Sequence, residues 1–160
     1  MILYFNELSF KNNRLKHEFF YELDQRLLFV VNAVIEFQKF VIGLTDPVLF
    51  QVTHITRTWA KQDELYGAKK DYRRDPWPSV HMFSPSCAVD GLTAIKTETQ
   101  RQALVVYVER KILYPGRYSS VVMHDAGSGM HAHCQVKPTE GNKLVEGESR
   151  YATTPSEVTA

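Results

Sequence analysis

The stretch Ser79-Val80-His81-Met82-Phe83-Ser84-Pro85-Ser86-Cys87-Ala88-Val89-Asp90, taken with Met130-His131-Ala132-His133-Cys134-Gln135-Val136, decides how the rest of this chain is read. The turn Ser84-Pro85-Ser86 can fold His81 back toward Asp90. His131 and His133 are alternate residues, so on a strand they project to one face. A His, an Asp and a His delivered from separate elements, with a fourth position left to water, form the donor set of a catalytic zinc. Asp90 is an anionic ligand that partly neutralises the ion and suits a hard, water-activating zinc. Either of His131 and His133 can complete the set while the other serves the reaction.

Working outward, residues 14–41 carry Leu15, Phe19, Leu23, Leu27, Val30, Val34, Phe37 and Val41 at steps of three and four. That spacing predicts one long amphipathic helix over 14–42 docked on the core. Gly43 ends it and Asp46-Pro47 turns the chain. Residues 48–56 are rich in Val, Ile, Phe and Thr and read as a strand. A short helix over 58–66 carries Trp59 and Leu65 inward, and 67–78 is a polar loop. A strand over 86–91 bears Asp90. A helix over 97–113 buries Leu104, Val105, Val108 and Ile112. Strands over 121–124 and 131–137 are joined by Asp125-Ala126-Gly127-Ser128-Gly129. This order predicts an α+β fold with a small, mostly antiparallel sheet flanked by helices. One domain spans 1–138, with its motif region at 48–137. Residues 139–160 turn to Gly, Glu, Ser and Thr with almost nothing to bury, and read as a flexible tail.

Composition narrows the function classes. At 160 residues the chain fits one domain able to bury a core without staples. Lys plus Arg (19) nearly balances Asp plus Glu (18), which argues against nucleic acid or an anionic membrane as partner. The basic run Lys69, Lys70, Arg73 and Arg74 is interleaved with Asp71 and Asp75 and reads as a solvated loop. The most apolar window, 27–44, is interrupted by Asn32, Glu36, Gln38 and Lys39, so no stable membrane insertion is expected. Residues 1–14 lack a secretory signal, which predicts cytoplasmic synthesis. Cys87 and Cys134 are too few for a disulfide framework and read first as small buried thiols, with thiolate ligation of a metal as the alternative.

The motif residues resemble the D-alanyl-D-alanine carboxypeptidase and L-alanoyl-D-glutamate endopeptidase family of zinc peptidases, which shares its fold with the Hedgehog signalling domain. Its signature Ser-x-His followed by Gly-x-Ala-x-Asp is matched by Ser79, His81, Ala88 and Asp90. Its late His-x-His strand is matched by His131-Ala132-His133, and its early-strand arginine by Thr56-Arg57-Thr58 with Gln62 and Tyr66 following. Ser86 stands where the family has glycine, and the His-to-Asp spacing is two residues longer. The resemblance implies a Hedgehog/DD-peptidase-like fold with His81, Asp90 and His133 holding Zn2+. Ser79 then orients a ligand, and Arg57 binds a developing oxyanion or a substrate carboxylate. The family's acidic general base has no counterpart among Gly127, Ser128, Gly129 and Met130. Asp125 through its loop, His131, or no base at all are the alternatives. The implied activity is hydrolysis of peptidoglycan stem peptides in the bacterial cell wall, as by a phage lysis enzyme. A non-catalytic zinc-stabilised binding or virion domain is the alternative.

Overall fold

Helix formation begins where Asn12 Oδ1 accepts the Leu15 backbone N–H at 2.9 Å, capping helix α1 (Asn13–Tyr21). The computed structural model describes residues 3–66, 79–112, 118–125, 127 and 129–147. A short strand β1 (Leu8–Phe10) precedes α1, and α2 (Arg26–Glu36) runs on into a π-helical turn, Phe37–Ile42. Gly43, at φ 79°, closes that turn in the left-handed conformation glycine tolerates. Gln38, fully buried, donates to Val34 O (3.2 Å) and Leu49 O (2.8 Å) and accepts from Ala94 N (2.8 Å). Its amide thereby fastens the end of the helix to strand β2 (Phe50–His54) and to the chain leaving strand β4 (Ala88–Thr93).

The remaining elements are α3 (Trp59–Tyr66), a single 3-10 turn at Val80–Met82, β3 (Phe83–Ser84), α4 (Glu98–Lys111), β5 (Val121–Asp125), β6 (Met130–Gln135) and β7 (Lys143–Leu144). Five strands form one sheet in the order β1-β2-β4-β6-β5, antiparallel apart from the β1–β2 pair. The α+β class with a mostly antiparallel sheet is as the sequence predicts, and β3 with β7 adds a second small sheet.

Alternation sorts the sheet into two faces. Phe50, Val52, Val89, Val121, Ala132 and Cys134 point into the core shared with Leu27, Val30, Val34, Leu104 and Val108 of the helices. Gly91 belongs to this face for a steric reason. A Cβ there would lie 2.2 Å from the buried ring of Phe50. Asp90, His131 and His133 take the opposite face, away from the helices.

The structure corrects several element expectations. The single helix over 14–42 is broken between Tyr21 and Arg26, because Ser86 takes the polar groups there. Ser86 N donates to Glu22 O (2.7 Å), Asp24 N donates to Ser86 O (2.9 Å), and Asp24 Oδ1 accepts Arg26 N (3.0 Å). In α3, Leu65 is exposed while Gln62 and Asp63 are buried. Of the expected tail, residues 139–147 pack instead. Lys143–Leu144 pairs with Phe83–Ser84, Asn142 Nδ2 donates to Asp24 Oδ2 and Pro85 O, and Trp59 Nε1 donates to Val145 O. Residues 148–160 and the loop 67–78 lie outside the described residues. Among the described residues no helix is long and apolar enough to cross a membrane.

Candidate metal centre

Local hydrogen bonds bring His81 to Asp90. Ser79 Oγ accepts the His81 backbone N–H at 3.3 Å and starts the 3-10 turn. The chain reverses through a cis Ser84–Pro85 peptide, and Arg57 N donates to His81 O at 3.0 Å. The His81 side chain, 2% exposed, places Nδ1 2.6 Å from Ile55 O. A carbonyl only accepts, so Nδ1 carries the hydrogen and Nε2 keeps its lone pair.

The third group arrives by register. Asp90 on β4 pairs directly with His133 on β6. Asp90 Oδ1 lies 2.7 Å from His133 Nδ1, and Asp90 Oδ2 lies 3.2 Å from His81 Nε2, one carboxylate oxygen to each ring. Ligand atoms of the three residues all lie within 4.8 Å of one another, and among the described residues no other group meets that condition. Two ligand atoms on a tetrahedral zinc, each about 2 Å from the ion, are about 3.3 Å apart. The Asp90 Oδ2–His81 Nε2 separation of 3.2 Å matches that, while Asp90 Oδ1–His133 Nδ1, at 2.7 Å, is a hydrogen-bond distance. His81 Nε2 is buried and, among the described residues, has no aligned hydrogen-bond partner. An orphaned imidazole lone pair facing a carboxylate is what a cation would satisfy, so two imidazoles and a carboxylate fit zinc.

Charge follows from burial and contact. Burial lowers the His81 pKa against the pull of Asp90, keeping the ring neutral. Burial opposes ionisation of Asp90, but the adjacent His81 and His133 rings outweigh it and hold the carboxyl well below the usual carboxylate range. A neutral imidazole beside an ionised carboxylate is the protonation state that metal ligation requires.

Two more histidines join this face. His54 reaches it through a β-bulge: Val52 pairs with Gly91, yet His54, not Thr53, pairs with Asp90. Its ring packs edge-on to His81 at 4.6 Å between centroids, and burial pushes its pKa down to about 3. His124 pairs with His131 across β5 and β6, with centroids 4.4 Å apart, and lies 5.8 Å from the His133 ring. Burial lowers the His124 pKa as well. Together His54, His81, His133, His124 and His131 form a continuous run of imidazoles. The remaining histidine, His17, is exposed on α1.

The other expected site residues divide. Arg57 Nη1 donates to Gln62 Oε1 (2.9 Å) and Ser79 Oγ (3.3 Å), and its guanidinium lies 5.7 Å from the Tyr66 ring centre. Ser79 therefore links Arg57 to the His81 turn. His131, 7% exposed, places Nδ1 2.9 Å from Gly129 O, leaving Nε2 as the free base nitrogen. Asp125 does not turn toward the centre. Its Oδ1 accepts the N–H groups of Gly127 (2.8 Å) and Gly129 (3.0 Å), which fold the loop back on it. Cys87 and Cys134 are fully buried thiols, and Cys134 occupies the core face of β6, opposite His133.

From the sequence, His54 and His124 read as strand-end residues, structural or supporting the ligands from behind; a period-of-two count places His54 beside Val52 on the core face, and only the bulge reverses it. His124 was within reach. A symmetric hairpin closed on Asp125 and Met130 puts His124 opposite His131. The chain matches no family model, no curated protein and no solved structure.

Proposed function

We propose that this chain is a zinc-dependent peptidase of Hedgehog/DD-peptidase-like fold that hydrolyses the stem peptides of bacterial peptidoglycan. The single observation that carries the hydrolase reading is the convergence of His81, Asp90 and His133 with a preset lone pair on His81 Nε2. The substrate class rests on the motif resemblance. Bound there, zinc supplies Lewis acidity and makes a water acidic near neutral pH.

The chain's own groups divide the remaining work. His131 Nε2 accepts the proton of the attacking water, since Asp125 is held in its loop. Arg57, steadied by Gln62 and Ser79, binds a substrate carboxylate or the oxyanion that develops at the attacked carbonyl. Site of action at the wall, in a lysis context, follows from the same reading.

One observation favours a second reading, a non-catalytic zinc-stabilised domain: Asp125, the acid nearest the final histidines in sequence, is held in its loop by the N–H groups of Gly127 and Gly129. Incubation of purified protein and zinc with peptidoglycan separates the two. New amino termini, lost on chelation and in His81→Ala, are the expected result. Stoichiometric zinc without cleavage overturns the peptidase and leaves the binding domain.

A further inference from the structure

The two metal-facing imidazoles present opposite nitrogens, and a different acceptor stands behind each. Behind His81 is the Ile55 carbonyl. Behind His133 is the side chain of Gln135, whose Oε1 lies 3.2 Å from His133 Nε2. The orientation of that amide is dictated from outside the site. Gln135 Nε2 donates to Ser119 O at 2.8 Å, and a carbonyl cannot donate, so the nitrogen of the amide must face Ser119 and the oxygen must face His133. His133 thus faces an acceptor at each nitrogen, Gln135 Oε1 at Nε2 and, at 2.7 Å, the Asp90 carboxylate at Nδ1. A cation held by Asp90 would replace the hydrogen between Nδ1 and Oδ1, and the Gln135 oxygen would then hold the one remaining hydrogen at Nε2.

We propose that Gln135 is a positioning residue for the metal centre, fixing His133 with Nε2 protonated and Nδ1 turned to the cation. The inference rests on the reading of His81, Asp90 and His133 as a metal site. The chain of contacts runs from Ser119 O through the Gln135 amide to the His133 ring. Gln135 is the last residue of β6, and its own N–H donates to Ser120 O at 2.9 Å, so backbone as well as side chain is anchored to the segment entering β5. An acceptor behind a ligating imidazole fixes ring orientation and raises its basicity. A carboxylate at the same place keeps an acceptor toward His133 but loses the donor to Ser119 O, whereas an aliphatic side chain loses both.

Zinc affinity is measured by competition with a chromophoric chelator for the wild-type chain, Gln135→Leu and Gln135→Glu. Gln135→Leu is expected to bind about 10–100-fold more weakly, the usual cost of losing such a partner, and Gln135→Glu, which keeps the acceptor, more tightly than Gln135→Leu. A Gln135→Leu affinity within about threefold of wild type, or equal losses in both variants, overturns the proposal and leaves the metal site standing. Wild-type protein that takes up no zinc overturns the site reading and the proposal with it. Cadmium-113 substitution of the wild-type chain reads the ligating atom without any variant. Coupling of the metal to Hε1 alone is expected for His133, and to both Hε1 and Hδ2 for His81. Coupling to Hδ2 of His133 places the metal on Nε2 and overturns the assignment.

Discussion

His124 and His131 face each other across the β5–β6 ladder with ring centroids 4.4 Å apart, beside the ring of His133. The pair gives the two rings different jobs, since His131 Nδ1 is bound to Gly129 O and only its Nε2 is free to take a proton. His131→Gln is expected to lower turnover of a stem-peptide substrate by about 10²–10⁴-fold, the range for a lost general base. His124→Gln removes a neighbour of the proposed base, not that base itself, and is expected to cost about tenfold through misplacement. Turnover of His131→Gln within twofold of wild type removes this residue from the reaction.

Asp125 has a structural task. Asp125→Asn keeps the oxygen that accepts from Gly127 and Gly129 and removes only the charge. Turnover is expected to stay within about threefold of wild type, well short of the 10²-fold minimum for a missing base. A loss of 10²-fold or more reassigns the base to Asp125.

Zinc should stabilise the fold by mass action. At a free zinc concentration of about 100 times Kd the gain is about 2.7 kcal/mol. For a chain of this size that raises the thermal midpoint by about 5–10 °C. His133→Ala should remove the rise. A midpoint indifferent to zinc in the wild-type protein contradicts the site.

Gly91 is held by contact. Its missing Cβ is replaced by the Phe50 ring edge at 2.2 Å, and that ring is fully buried. Gly91→Ala is expected to destabilise by about 3 kcal/mol, the upper part of the usual overpacking range, and to disturb Asp90 next to it. Chemical denaturation measures it. A loss below about 0.5 kcal/mol, typical of an unconstrained surface site, would show that the sheet yields there.

Cys87 predicts an alkaline limit to stability. Burial, helped by the Asp24 carboxylate, pushes its thiol up from 9.0 to about 12. The unfolded chain then releases this proton near pH 9 while the fold retains it. The contribution is therefore complete below pH 9 and declines between about 9 and 12, by about 1.4 kcal/mol per pH unit at full effect. Cys87→Ala should flatten that slope of unfolding free energy against pH. An unchanged slope places the thiol in an ordinary environment.

The sequence by itself determined the donor set, and the reason is local. His81 and Asp90 flank a short turn, while His131 and His133 alternate on one strand, so one reversal and one period of two suffice to aim them. The α+β class was legible for the same reason, because apolar spacing near 3.6 and near 2 is written into neighbouring residues. What only the tertiary structure decided depends on partners distant in the chain. The helix over 14–42 breaks because Ser86 hydrogen-bonds its backbone between Glu22 and Asp24. His54 reaches the face that carries His81, Asp90 and His133 because β2 gains one residue on β4 at the bulge. Residues 139–147 hold to the domain through Asp24, Trp59 and Phe83, none of which their own composition reveals. Gln135 faces His133 because Ser119 claims the other end of its amide. Spacing records which way a side chain points along its own element. The acceptor behind an imidazole comes from another segment, and only folding brings it there.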